Sequence, residues 1–221
     1  MCLASFVKLP NCDVFTFSRD EQSDRIFSAP TKSESGIFAP KDLIGGGTWI
    51  GFNGKSVVSL QNGGKIKHKR ELPYDLSRGL ILTDFLIHED VNSLKNLLDH
   101  NKIEPFTLTI FSIGHLNLIQ HVWNGLELNS SEISGRSKWI NGSSTLYNPE
   151  QIEKIEIDFK NQIFYTPEEI FNFHQNYKIG GDKNPIIRPA TTSIIQFILN
   201  GAHAICRFNN LVESTDTTYF I

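Results

Sequence analysis

The sequence predicts an α+β fold of two mostly antiparallel sheets covered by helices. Short runs of alternating apolar and polar residues come in pairs joined by turn residues, as in hairpins. Two stretches with apolar residues at helical spacing interrupt them, so the order reads ββ–ββ–αα–ββ–αα–βββ. The chain of 221 residues is 39% apolar with 16 phenylalanines, enough to fill a core between layers. A single domain over residues 1–221 is expected, with no internal repeat.

The elements follow in order. Cys2–Val7 reads as a strand, and Val14–Ser18 alternates before ending on Arg19-Asp20-Glu21. Pro10-Asn11-Cys12-Asp13 links the two as a turn. Trp49–Phe52 and Lys55–Leu60 make a second hairpin around Asn53-Gly54. Gly45-Gly46-Gly47 before it let the backbone take φ > 0 or pass close to another group. Asp84–Ile87 continues into Glu89–His100 as helix, with Val91, Leu94, Leu97 and Leu98 on one face. Phe106–Ile113 and Leu118–Trp123 are strands joined by Gly114-His115. Glu150–Phe159 and Pro167–Tyr177 are helices, the second with Thr166 as N-cap before a proline in the first turn. Ser193–Leu199, Ala202–Phe208 and Thr215–Ile221 close the chain as strands, with Asn200-Gly201 a tight turn.

The chemistry begins at Cys2. A small residue after Met1 favours methionine removal, which would leave a thiol and a free α-amine on one residue. A thiolate is the best side-chain nucleophile near neutral pH. A terminal amine, with an unperturbed pKa of roughly 7.7–8.0, can serve as its base. The alternative is that Cys2 is only a small apolar strand residue. Charges at the end of the neighbouring strand can meet it: an Asp to hold the amine, an Arg to favour thiolate. The commoner fate of an Arg-Asp-Glu run is a solvated ion pair. Asn62, just past the Lys55–Leu60 strand, can donate to a developing oxyanion or shape the turn ahead of Gly63-Gly64.

Met1-Cys2, Ser18-Arg19-Asp20-Glu21, Gly46-Gly47-Thr48-Trp49-Ile50-Gly51 and the strand running into Asn62 together resemble the NRDE family, that of the transport and Golgi organisation protein two. Ser77–Leu86 and Thr192–Phe197 add to the likeness, which is dense over residues 2–86 and sparse beyond 100. The family is similar to N-terminal-nucleophile hydrolases of the penicillin V acylase and bile salt hydrolase type. The resemblance implies a four-layer αββα sandwich with the cysteine at the mouth of a cleft. It assigns Cys2 as nucleophile, Arg19 and Asp20 as its flanking pair, and Asn62 as the oxyanion-side amide. Trp49, Asn141, Thr145 and Arg188 are the expected binding residues. The chain departs from the pattern at Ser18, where the family has Asn. It departs again at Thr145, where a second Asn is expected with Asn141 a nearby substitute, and at Arg188, which is displaced from the late strand. The implied function is hydrolysis of a non-peptide C–N (amide) bond. The alternative is a non-catalytic binding or trafficking protein for haem, acyl-coenzyme A or lipid in the same cleft.

Bulk properties narrow the partners. A formal net charge of −3 calls for no nucleic acid. The run Lys65-Ile66-Lys67-His68-Lys69-Arg70 is the local exception: a phosphate- or anionic-lipid-meeting segment, or a solvated loop. Three cysteines make no disulfide framework, so a reducing, cytoplasmic location is expected. Cys12 and Cys206 read as inert. No secretory signal and no apolar run of transmembrane length are present. The 7 histidines form no HxH, HExxH or CxxC-type ligand spacing, so neither metal nor cofactor is expected. The expected partner is a small molecule with an apolar acyl or macrocyclic part. Oligomeric state stays open.

Overall fold

A computed structural model describes residues 2–115, 117–178, 189–201 and 203–221. In chain order the elements are β1 (Cys2–Lys8), β2 (Asp13–Glu21), β3 (Phe27–Lys32), β4 (Phe38–Asp42), β5 (Ile50–Phe52), β6 (Ser56–Asn62), α1 (Arg78–His88), α2 (Val91–His100), β7 (Phe106–Ser112), β8 (Leu118–Trp123), β9 (Leu128–Ile133), β10 (Lys138–Gly142), α3 (Pro149–Asn161), α4 (Pro167–Asn176), β11 (Ala190–Asn200), β12 (His203–Asn210) and β13 (Thr215–Phe220). The α+β class and the order of hairpins and helix pairs are those expected, with β3, β4, β9 and β10 added. The chain divides into two compact units, Met1–Arg25 with Gly135–Ile221, and Ile26–Ser134. Among the described residues, no helix is long and apolar enough to cross a membrane.

The first unit holds a six-stranded sheet in the order β10-β1-β2-β11-β12-β13, its β1, β2, β11 and β12 pairings all antiparallel. Side chains alternate across a strand. On β1, Leu3 and Val7 point to the face that carries α3 and α4, where they join Val14, Ile140, Ile155, Phe159, Ile170 and Phe173 in one core. Both helices start on a capping box after a proline-compatible turn: Asn148 with Gln151, and Thr166 with Glu169. A polar seam crosses this otherwise apolar face. His174 of α4 is fully buried, with Nε2 at 2.7 Å from the Ser5 hydroxyl and Nδ1 at 2.7 Å from the Ser18 hydroxyl. Burial holds the ring at a pKa of about 3, so it is neutral, one nitrogen donating and the other accepting. Ser18 is therefore committed to the helix face.

The second unit holds a seven-stranded sheet in the order β3-β4-β5-β6-β7-β8-β9. Val58, Leu60, Leu108 and Trp123 pack with Ile81, Leu82, Phe85 and Leu86 of α1 and Leu94 and Leu98 of α2. The single helical run expected over 84–100 is two helices. Glu89 takes a left-handed conformation (φ 46°) and ends α1, and the Asp90 carboxylate accepts from the Asn92 and Ser93 amides to start α2. The glycine triplet has a steric purpose. A Cβ on Gly47 would stand 2.1 Å from the Gly79 carbonyl carbon, so only glycine lets this segment touch the start of α1. Asn62 is the last residue of β6, paired with Phe106, rather than just beyond the strand.

Candidate active site

Strand pairing in the first unit brings three of the expected residues together. Cys2 begins β1 and lies directly opposite Arg19 on β2, so their side chains leave the same face of the sheet. Both are 3% exposed. The Asp20 backbone N–H donates toward the Cys2 sulfur, which favours thiolate. Burial outweighs it, and with the Asp20 charge pushes the thiol above its ordinary 9.0. At neutral pH the sulfur is therefore a thiol, and reaction needs a base at hand.

Asp20 is fully buried and held from two sides. The Thr191 hydroxyl donates to Oδ1 at 2.6 Å and the Tyr147 hydroxyl donates to Oδ2 at 3.2 Å. Burial pushes the carboxyl up to about 6, and the two donors only partly offset this. Tyr147 in turn is held well above the usual phenol range by burial and by the Asp20 carboxylate. Arg19 is fixed as firmly. Its Nη1 donates to Thr192 Oγ1 at 3.0 Å, and the same hydroxyl donates to the Arg19 carbonyl at 3.2 Å. A β-bulge makes this double contact. Thr191 pairs with Asp20 and Ser193 with Arg19, leaving Thr192 as the extra residue between them.

The segment after β10 closes the site from the far edge. The Ser143 amide donates to the Cys2 carbonyl at 2.9 Å, and the Leu146 and Tyr147 amides return to the Ser143 carbonyl. This turn carries Tyr147 over Gly142. A Cβ on Gly142 would meet Tyr147 Cδ2 at 2.9 Å and Ile152 Cγ1 at 3.4 Å, so Gly142→Ala must shift the Tyr147 ring. We expect urea denaturation to show a loss of roughly 1–3 kcal/mol for Gly142→Ala. The control, Tyr147→Phe, removes the hydroxyl alone and leaves the ring packed. A Gly142→Ala protein as stable as the parent would contradict the packing.

Other expected residues fall as follows. Asn141 of β10 pairs with Ala4, so it leaves the same face as Cys2, two residues along β1. Thr145 sits in the 143–147 turn, its hydroxyl 2.9 Å from that of Ser143. Asn62 and Trp49 belong to the second unit, Asn62 at the end of β6 and Trp49 edge-on to Phe27 with centroids 5.7 Å apart. Arg188 lies outside the described residues. Tyr147, Thr191 and Thr192 were not expected as site residues. Among the described residues no group of three His, Cys, Asp or Glu converges to hold a metal ion.

Comparison with known proteins bears on the family and the fold. The profile of the Transport and Golgi organisation 2 family matches residues 1–165. No curated protein sequence matches. Among solved structures, a cysteine-to-alanine mutant of the conjugated bile acid hydrolase from Clostridium perfringens superposes with a TM-score of 0.64 at 11% identity, covering 100% of this chain and 92% of that one. An arginine-to-leucine variant of the same enzyme gives 0.59 at 9% identity, covering 99% and 92%. At such identities the likeness shows the fold alone, the α+β class expected from the sequence.

Proposed function

The chain belongs to the Transport and Golgi organisation 2 family, and we propose that it hydrolyses a non-peptide C–N bond, an amide of an apolar acid, with Cys2 as nucleophile. The observation that carries this reading is the pairing of Cys2 with Arg19 beside a doubly held Asp20. The likeness of the fold to conjugated bile acid hydrolases supports the amide class.

Loss of Met1 turns the Cys2 nitrogen into an α-amine. That amine takes the thiol proton as sulfur attacks the acyl carbon. The C–N bond then breaks, the departing nitrogen receives the proton, and the acyl group remains on Cys2 as a thioester. Water adds next. The C–S bond breaks, the acid leaves, and the thiol is restored. Asp20 holds the amine as its charged partner, and Arg19 lowers the cost of negative sulfur. The Asp20 N–H aimed at the sulfur acts in the same direction.

A second reading is a binding or trafficking protein for haem, acyl-coenzyme A or lipid. The upward push on the Cys2 thiol favours it, as does Thr145 engaged with Ser143 where an asparagine is expected. Intact-mass measurement after rapid acid quench separates the two. Hydrolysis requires a chain without Met1 and an acyl adduct on Cys2 when fatty or bile-type amides are supplied. A retained Met1, or no adduct while haem or acyl-coenzyme A raises the melting temperature, leaves the second reading.

A further inference from the structure

Residues 65–72 run between β6 and α1, remote in sequence from Cys2, and have no part in the chemistry above. Lys65, Lys67, Lys69 and Arg70 are exposed, and two large aliphatic side chains stand among them, Ile66 at 80% and Leu72 at 65% exposure. The segment is not a loose tether. His68 Nε2 lies 3.2 Å from Glu104 Oε1, Arg78 Nη2 lies 3.0 Å from Glu104 Oε2, and Arg70 Nε lies 3.6 Å from the same carboxylate. The Glu71 amide donates to the Tyr74 hydroxyl at 2.9 Å, and Lys102 adds a further exposed cation over the Tyr74 ring. Glu104 thus fastens the loop from within, while three lysines remain directed to solvent with only Glu71 as an exposed acidic neighbour inside the segment.

We propose that the 65–72 loop is a docking element for anionic phospholipid surfaces. The basic side chains meet headgroup charge, and Ile66 and Leu72 enter the interfacial layer. Charge alone would suit any polyanion. The aliphatic pair decides for lipid, because exposed Ile and Leu lose unfavourable hydration in an acyl boundary. They give nothing to a nucleic acid, whose bases stack on aromatic rings. The segment offers no Phe, Tyr or Trp. The proposal is independent of whether Cys2 is catalytic.

Cosedimentation of the full chain with vesicles tests it. Phosphatidylserine-containing vesicles should bind the protein at least tenfold better than pure phosphatidylcholine, and high salt should release it. Each lysine is expected to contribute about fivefold, so Lys65→Glu, Lys67→Glu and Lys69→Glu combined should abolish the difference. Ile66→Ser, which removes the aliphatic side chain without changing charge, should weaken vesicle binding while leaving capture of a single-stranded oligonucleotide unchanged. Equal binding to both vesicle types overturns the proposal. So does a triple variant that binds like the parent, or an Ile66→Ser protein that keeps full vesicle affinity. Since the substituted side chains are exposed, the melting temperature should stay within a few degrees of the parent's and confirms that the variants fold.

Discussion

Cys2→Ala is expected to cut turnover of acyl amides by about 10⁵-fold or more, the order found when an activated nucleophile is deleted, with little loss of stability. The sulfur is buried at the end of β1, and its removal empties a space near that of one methyl group, which costs about 1 kcal/mol. The large kinetic effect follows from the electrostatics. Burial, and less so the Asp20 charge, raise the thiol from its ordinary 9.0, so the thiol is the dominant form at pH 7. Proton removal must be coupled to attack, and after loss of Met1 the α-amine on the same residue is placed to do it. Cys2→Ser should be as inactive yet retain any ligand-induced rise in melting temperature, because the shape of the site survives. Release of amine by Cys2→Ala at the parent rate would remove Cys2 from the chemistry and with it the proposed hydrolysis.

What the sequence made legible is local, and what it hid is long-range. Asn53-Gly54 announced β5 and β6 because the turn chemistry sits in two adjacent residues. Strands β3 and β4 carry Pro30 and Pro40, which mask them as loops, and β9 is a polar edge strand whose sequence LNSSEI shows no alternation. The helix break at Glu89 escaped because the apolar spacing runs on across it. Cys2, Arg19 and Asp20 were found through a recognisable motif. Their partners were not, since Tyr147, Thr191 and Thr192 lie 127, 171 and 173 residues from the groups that they hold. The one available signal was the Thr191-Thr192-Ser193 run at the head of β11. A bulge there lets two consecutive residues oppose Arg19, which strict alternation does not foresee. Ser18 shows the converse. It read as a departure from the family pattern, yet its hydroxyl has a defined partner in His174, on a helix that begins 149 residues later at Pro167.

Asp20→Asn is expected to make the protein more stable above neutral pH while sharply reducing its activity. The carboxyl rises from 3.8 to about 6 on folding, with burial the main cause. The folded chain therefore holds that proton more tightly than the unfolded one. The stability this contributes is complete below pH ~4 and is lost as pH climbs through 6. Above that point the buried charge costs on the order of 3 kcal/mol relative to an unshifted carboxyl. An asparagine carries no charge at any pH, can still accept from Thr191, and can donate to the Tyr147 oxygen. The melting-temperature gap between variant and parent should thus be largest near pH 8 and close as pH approaches 4. Activity should show the opposite dependence. If ionised Asp20 holds the α-amine of Cys2, kcat/KM of the parent falls on an acid limb near pH 6, and the variant is slow throughout. Parallel stability curves would mean that Asp20 is not strained by its burial. A fully active Asp20→Asn would mean that its charge does not serve the nucleophile. A buried carboxylate kept ionised at a cost to folding has a physical reason only if that charge is used.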